Sequence, residues 1–260
     1  MLNIKANNLV IGKNTVIEPT ASIRGLNGNA NSIILGDNCY IGNNVQIICD
    51  DFSMGDYCKI HHAVNIHGYK PCKIGHNAWI GQYSIIDSIG GTTIGNNVGI
   101  GAHSQLWSHI KYGDTLEGCR FMSEKKLVIG NDVWFVGHCI VTPITAKDKS
   151  MAMVGSVITK DMEYNNIYAG SPAKSISDKI GYQFSDKTTE EKHTRLLELY
   201  NQFGICDDIK IVLRQEEINF DDNISYFAVE TRCYKKTLSH NEIQFMKFLL
   251  PDKAKFIPIE

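Results

Sequence analysis

The hydrophobic positions in the first 180 residues recur every six residues. An aliphatic residue, commonly followed by glycine, is followed four places on by a small or β-branched residue. The pairs are Ile11 with Thr15, Leu35 with Cys39, Ile41 with Val45, Ile74 with Ala78, Ile80 with Ser84, Ile94 with Val98, Ile100 with Ser104, and Ile129 with Val133. This period is neither the 3.6 of an amphipathic helix nor the two of a simple strand.

A six-residue period fits a short strand and a turn if the aliphatic and the small residue both point inward. Glycine and Asn or Asp would then occupy the turn, where a positive φ is cheap. Three such units would close a triangular coil of about 18 residues, and stacked coils would form a parallel β-helix. From Ile94 to Ile129 the spacing widens to 35 residues (129 − 94), so a loop of residues 110–127 is expected to be extruded.

The repeat resembles that of the hexapeptide-repeat acyltransferases, whose fold is a left-handed parallel β-helix. The resemblance covers about residues 9–180. More specific are three runs, Val128–Trp134, Gly155–Asp161 and Ala169–Lys174. Their order is similar to the end of the maltose and galactoside O-acetyltransferases and their xenobiotic-modifying relatives. The resemblance therefore implies a mainly β fold and transfer of an acyl group.

A second architecture is predicted after residue 180, because only Gly204 of the 22 glycines lies beyond residue 183. We assign residues 1–180 to the β-helix and residues 181–260 to a small α/β appendage. Capping boxes at Thr188 and Ser239 each predict the start of a helix, and residues 209–214 and 224–235 are expected to be strands. The appendage would cover the open end of the solenoid. Alternatively it shapes the acceptor site of a neighbouring chain, with Arg232 facing an anionic sugar.

Charge and composition exclude several classes of protein. The 26 Lys and Arg against 28 Asp and Glu give a net charge of −2, which argues against binding to nucleic acid. No run of about 18 apolar residues occurs, so no membrane span is expected. The eight cysteines contain no CxxC pair and no secretory signal precedes them, which predicts reduced thiols and a cytoplasmic protein.

His109 is the predicted general base, because it ends the last regular unit before the extruded loop. Imidazole can take a proton from an acceptor near pH 7 and return one to a leaving thiolate. The resembled family places its general base at the mouth of such a loop; the alternative is a turn residue with a satisfied hydrogen bond. The orienting acid would be Asp87, one coil before Trp107, or a loop acid, Asp114 or Glu117.

The donor site follows from the resemblance, which implies acetyl-CoA lying in a groove between adjacent chains of a homotrimer. Its phosphates need cationic partners. The residues that match the family's donor contacts are Gly137, Val154, Thr159, Lys160 and Lys174. Trp134 would pack against the pantetheine arm or fill a corner of the coil.

The predicted function is transfer of an acetyl or other acyl group from its CoA thioester to a hydroxyl or amino group of a sugar, polysaccharide unit or sugar nucleotide. His61, His62 and His67 suggest a second function, a metalloenzyme like the γ-class carbonic anhydrases. That class has a His-Gly-Cys context and a Met-Gly-Ala run that this sequence lacks, so no metal is expected. A non-catalytic trimeric binding scaffold is the third alternative. The other histidines of the repeat, His76, His103 and His138, are expected to be solvated turn residues.

Overall fold

The hexads form short strands, as their spacing predicts. The computed structural model describes residues 3–259, and contacts divide the chain into a unit that ends at Phe184 and one that begins at Ser185. The strands of the first unit are β1 (Asn3–Ile11), β2 (Val16–Ile17), β3 (Ser22–Arg24), β4 (Ala30–Leu35), β5 (Tyr40–Ile41), β6 (Gln46–Cys49), β7 (Asp51–Met54), β8 (Lys59–Ile60), β9 (Asn65–Gly68), β10 (Cys72–Ile74), β11 (Trp79–Ile80), β12 (Ile85–Asp87), β13 (Thr92–Ile94), β14 (Gly99–Ile100), β15 (Gln105–Leu106), β16 (Leu127–Ile129), β17 (Trp134–Phe135), β18 (Ile140–Val141), β19 (Thr145–Ala146), β20 (Met151–Ala152), β21 (Val157–Ile158), β22 (Ile167–Gly170) and β23 (Ala173–Ser175). The short helix α1 (Ser177–Ile180) follows them.

From β2 to β21, every third strand lies on the same face of the solenoid. Face A contains β3, β6, β9, β12, β15, β18 and β21; face B contains β4, β7, β10, β13, β16 and β19; face C contains β2, β5, β8, β11, β14, β17, β20 and β22. Strand β1 pairs with both β3 and β4 and so joins faces A and B. Pairing within each face is parallel, and β23 adds an antiparallel strand to face C. The fold is the predicted one, mainly β and a left-handed parallel β-helix.

The core is a stack of aliphatic side chains, one layer for each coil. Along face A the inward positions are in register and no more than 1% exposed; they are Ile23, Ile47, Ile66, Ile86, Leu106, Val141 and Ile158. Cys39, Cys58 and Cys139 are buried at the small inward positions of their hexads. Burial raises the pKa of the Cys139 thiol, so it acts as a small apolar side chain.

The turns differ from the prediction in the role of glycine. The positive φ falls on Asn and Asp residues such as Asn38 (56°) and Asp132 (57°) and also on other types such as Tyr57 (56°), while the glycine that follows the aliphatic residue of a hexad has no positive φ. A Cβ on Gly36 would instead collide with the backbone of Gly55 in the next coil. Glycine recurs in the repeat because adjacent coils approach too closely there for a side chain.

Side chains at one corner form a ladder between coils. Each side chain accepts a hydrogen bond of 2.5–2.9 Å from the backbone N–H of the corresponding corner residue in the preceding coil. The first donor is the Lys13 N–H. The accepting residues are Asp37, Asp56, His76, Asn96, Asn131 and Asp148. The expectation for His76 is therefore corrected, because its Nδ1 accepts the Asp56 N–H at 2.9 Å; His103 and His138 are exposed, as expected.

The second unit is a small α/β structure. It contains α2 (Thr189–Phe203), a 3-10 turn (Gln215–Glu217), α3 (His240–Leu249) and the strands β24 (Ile209–Val212), β25 (Ser225–Ala228), β26 (Cys233–Lys235) and β27 (Ile257–Ile259). The sheet order is β24-β25-β26-β27. The single strand expected over residues 224–235 is wrong. It is a hairpin of β25 and β26, turned by Arg232 with a φ of 53° and without glycine.

The two helix starts show different capping. Thr188 and Glu191 cap each other's backbone N–H, as predicted. The Ser239 side chain accepts the Glu242 N–H at 3.2 Å, but the Glu242 carboxylate accepts from the backbone of Thr237 and Leu238 instead of that of Ser239. The prediction of a capping box at Ser239 is therefore half wrong, because the Glu242 side chain does not accept from the Ser239 N–H.

Candidate active site

The site is built where face A meets the extruded loop. Asp87 is the last residue of β12, and β15 lies in register one coil further on. The chain continues from β15 through Trp107 and Ser108 to His109, so these side chains reach the end of β12. Parallel stacking therefore brings together residues about 20 positions apart in sequence.

Asp87 is an outward-facing residue of its strand and is nevertheless fully buried. Its Oδ2 atom accepts from the Ser108 N–H at 2.8 Å, the Ser108 hydroxyl at 2.5 Å and His109 Nδ1 at 2.9 Å. A buried carboxylate is costly unless it has such partners. The arrangement therefore fixes both the carboxylate and the imidazole.

His109 is left with one nitrogen for chemistry. Because Nδ1 faces the carboxylate, that nitrogen carries the proton, and neutral His109 presents the lone pair of Nε2. Nε2 makes no hydrogen bond to any residue in the described range 3–259, and the side chain is 18% exposed. The Trp107 ring lies edge-on to the imidazole, with 6.2 Å between ring centroids.

The other acids proposed to orient His109 lie in the exposed loop. The Asp114 carboxylate accepts from the backbone N–H groups of Leu116 and Glu117, at 2.8 and 3.3 Å. These bonds are typical of a local turn. Of the three acids considered, Asp87 is the one whose carboxylate bonds to His109.

The base of the loop is fastened to the solenoid. Ile110 and Ser123 exchange two backbone hydrogen bonds of 2.7 Å, and the Gly90 N–H donates to the Ser108 hydroxyl at 2.9 Å. Lys111 lies 2.5 Å from Glu124, and its hydrogen bond and charge lower the pKa of that carboxyl. The pair is exposed and contributes little stability, so the backbone bonds position His109.

A second histidine faces the same carboxylate. His67 in β9 is paired in register with Asp87, and its Nε2 lies 3.6 Å from Asp87 Oδ1. Sequence reasoning considered His67 for metal binding and missed this contact. The signal was available, since residues 67, 87 and 107 are spaced 20 apart and occupy one row of face A.

The residues matched to donor contacts occupy three places in the first unit. Trp107, Thr142 and Thr159 follow strands in register on face A, so Thr159 and Lys160 lie two coils beyond Trp107 and three beyond Asp87. Gly137, with a φ of 149°, and Val154 lie on turns between faces C and A.

The other two matched residues lie on face C. Trp134 begins β17 and lies over Gly99, half exposed, and Lys174 lies in the antiparallel pair of β22 and β23.

The histidines considered for metal binding do not form a cluster. Residues 3–259 contain no group of three or more His, Cys, Asp or Glu residues arranged to hold a metal ion. His61 packs against Trp79 with ring centroids 4.8 Å apart, and burial lowers the pKa of its imidazole. His62 packs edge-on against Tyr83. In the same range no helix is both long enough and apolar enough to span a membrane.

Sequence comparison finds partial matches to known proteins. No protein-family model matches the chain. The bifunctional protein GlmU of Listeria welshimeri is 27% identical over 182 residues, which cover 58% of this chain and 36% of that protein. The galactoside O-acetyltransferase of Escherichia coli K12 is 38% identical over 53 residues, 20% of this chain and 26% of that protein. The chain thus spans about a third of the GlmU protein and a quarter of the acetyltransferase.

Among solved structures, the polySia-specific acetyltransferase NeuO covers 77% of this chain and 98% of its own, with 20% identity and a TM-score of 0.49. The repeat and the stacked coils define the chain as a hexapeptide-repeat β-helix protein. The partial sequence matches include two acetyltransferases, the galactoside enzyme above and a chloramphenicol acetyltransferase of Agrobacterium fabrum, which is 41% identical over 54 residues, 20% of this chain and 26% of that protein.

Proposed function

We propose that the protein transfers an acetyl group from acetyl-CoA to a hydroxyl or amino group of a saccharide. The observation that carries the proposal is the pair of Asp87 and His109, which leaves one imidazole nitrogen unbonded at the mouth of the loop. Oxygen or nitrogen attack on a thioester needs such a base.

In the proposed reaction, His109 Nε2 accepts the proton of the acceptor hydroxyl or amine. The acceptor atom forms a bond to the thioester carbonyl carbon, and the carbonyl oxygen takes the negative charge. When that intermediate collapses, the carbon–sulfur bond breaks and the imidazolium gives its proton to the thiolate of CoA. Asp87 holds the Nδ1 proton of His109 and stabilises the imidazolium between the two steps.

The matched cations suit the donor. Lys160 and Lys174 are exposed, and neither forms an ion pair with a residue in the range 3–259. Both are therefore available to the pyrophosphate and ribose phosphate of CoA. Thr159 and Lys160 share face A with Asp87, which supports a donor lying along the coils toward His109.

A saccharide acceptor is supported by the family and by the surface beside His109. The galactoside O-acetyltransferase that matches residues of this chain acts, by its name, on a sugar. Trp107 and Tyr69 place aromatic rings near the loop, and aromatic rings commonly pack against sugars. Lys70 and Lys111 share the single carboxylate of Glu124, so these three side chains keep a net positive charge that would favour an acceptor with negative charge.

We propose a cytoplasmic homotrimer in which neighbouring chains share the donor groove. Trp134 and Val154 are 45% and 62% exposed, and the loop exposes Tyr112, Leu116 and Phe121. Apolar exposure on this scale is typical of surfaces that pack against another chain. The eight cysteines of the chain are all unpaired, which fits a reducing compartment.

Release of CoA tests the proposed activity. Purified protein is incubated with acetyl-CoA and a panel of neutral and anionic sugars, polysaccharides and sugar nucleotides, and free thiol is measured. We expect acceptor-dependent thiol release by the wild type and not by His109→Ala. Release that does not depend on an acceptor, or that survives in the folded variant, contradicts the proposal.

A further inference from the structure

The two oxygens of the Asp87 carboxylate have unequal surroundings. Oδ2 accepts three hydrogen bonds, two from Ser108 and one from His109. Within residues 3–259, Oδ1 has only a weak 3.4 Å contact with the Ile89 N–H and the imidazole of His67 at 3.6 Å. A fully buried carboxylate oxygen needs a hydrogen-bonding or positively charged partner, and His67 Nε2 is the side-chain nitrogen that faces it.

His67 is itself held from the other side. Its Nδ1 lies 2.8 Å from Asn65 Oδ1, and the Asn65 amide nitrogen donates to Gln46 Oε1 at 3.2 Å. Polar side chains thus form a row along face A, from β6 through β9 to the end of β12. The row fixes the plane of the His67 ring and aims Nε2 at Asp87. Because Asn65 Oδ1 and Asp87 Oδ1 are both acceptors, the ring offers a proton to each of them only when both of its nitrogens are protonated.

The two histidines on Asp87 therefore differ in what they can do. Both His67 nitrogens face protein groups, whereas His109 has a nitrogen without a hydrogen bond in the described residues. His67 is thus not available as the base. Its distance from Asp87 exceeds that of a direct hydrogen bond, so it acts through electrostatics or a bridging water.

We propose that His67 is a positioning residue, which holds Asp87 Oδ1 so that Oδ2 keeps the proton of His109 on Nδ1. The inference rests on the proposed acetyl transfer for its kinetic consequence, although the placement of the His109 proton does not. Without His67 the Asp87 carboxylate would lose its partner at Oδ1 and could rotate about its Cβ–Cγ bond. His109 would then place its proton on Nε2 in a fraction of molecules, which removes the base.

A double-mutant cycle gives the kinetic test. His67→Met removes both nitrogens at similar volume, and His67→Gln keeps an amide donor of similar size. We expect His67→Met to lower kcat about tenfold with little change in the KM for acetyl-CoA, and His67→Gln to recover most of the loss. In an Asp87→Asn background the same His67→Met change should cost less than about twofold, because His67 acts through Asp87.

The tautomer of His109 provides a readout that does not depend on activity. Imidazole ¹⁵N spectra of wild type and of the His67→Met and His67→Gln variants report which nitrogen carries the proton. We expect His109 to be protonated on Nδ1 in wild type and His67→Gln, and to gain the Nε2-protonated form in His67→Met. Circular dichroism and thermal melting show that each variant is folded.

The two measurements separate failure of this inference from failure of the proposed function. Equal kinetic loss in both backgrounds, or no loss, overturns the role of His67. An unchanged His109 tautomer in His67→Met overturns it whatever the kinetics show. If no acceptor is acetylated by wild type, the proposed function fails, and the spectra alone decide whether His67 positions Asp87 and His109.

Discussion

At the scale of single residues, the site depends on how one buried carboxylate is surrounded. His109 could be singled out from the sequence because it ends a regular unit beside the widened spacing, and Asp87 could be named as one of three candidate acids because it lies one coil before Trp107. That Asp114 and Glu117 do not bond to His109 could not be predicted, because residues of the loop are not paired in register with a neighbouring coil. The contact of His67 with Asp87 was also missed, since histidines on an outward position more often signal solvent or metal.

Lys174 offers a residue-scale test of the donor site. It lies exposed in the β22–β23 pair without an ion pair in the described part of the chain, so a phosphate would be its partner. Lys174→Ala should raise the KM for acetyl-CoA about tenfold or more at low salt, because a phosphate contact of a lysine contributes about 1–3 kcal/mol. The effect should shrink at high salt through screening.

Two controls accompany the Lys174 measurement. Lys179→Ala removes another exposed lysine nearby and should leave the KM unchanged. The donor dephospho-CoA thioester lacks the 3′-phosphate, so wild type and Lys174→Ala should differ much less with it. An equal difference with both donors would assign Lys174 to another group of the donor.

At the scale of elements, the repeat predicted the strands of the solenoid and their order, because the inward positions alone decide the register. It did not predict how the corners are held. The ladder through Asp56 and His76 and the close approach at Gly36 depend on contacts between coils, which a single hexad does not reveal. In the second unit the hairpin was taken for one strand, because Arg232 adopts a positive φ that residue type did not suggest.

The loop before β25 gives a prediction at this scale. Partial burial alone would raise the pKa of Asp222, but hydrogen bonds from the Tyr226 hydroxyl, the Ile224 N–H and Lys235 lower it to about 2. The folded state thus favours the carboxylate, and Asp222 stabilises the second unit above its unfolded pKa of 3.8. This stability is lost as the pH falls from about 4 toward 2.

Melting temperatures measured against pH test that account. Asp222→Asn should melt below wild type at neutral pH, and the two curves should converge as the pH falls through that window. The matched control is Asp221→Asn, which changes an exposed neighbour. A constant difference from pH 7 to pH 2 would show that the charge of Asp222 is not responsible.

At the scale of the whole molecule, the proposed donor groove would have the solenoid on one side and a second chain on the other. Val154 and the loop residues Tyr112 and Leu116 are more than half exposed. The sequence could not indicate which surfaces remain uncovered, because the repeat constrains only inward positions. The proposed assembly depends on residues at outward positions, and the repeat does not constrain which residue types occur there.

Light scattering of the purified protein tests the proposed assembly. We expect a mass near 87 kDa, three times the 29.1 kDa of the chain. Leu116→Asp together with Phe121→Asp places charges on the exposed loop and should weaken the trimer and acetyl transfer in parallel. A monomer that keeps full activity would contradict a donor groove shared between chains.

The central claim is that His109, held by Asp87, is the base for acetyl transfer. The most direct measurement is the transfer of labelled acetyl from acetyl-CoA to a saccharide by wild type and His109→Ala, with His62→Ala as a control histidine outside the site. We predict that His109→Ala lowers kcat by about 10² to 10⁴ with little change in acetyl-CoA affinity, while His62→Ala is unaffected. A folded His109→Ala protein with near-normal turnover would contradict the account.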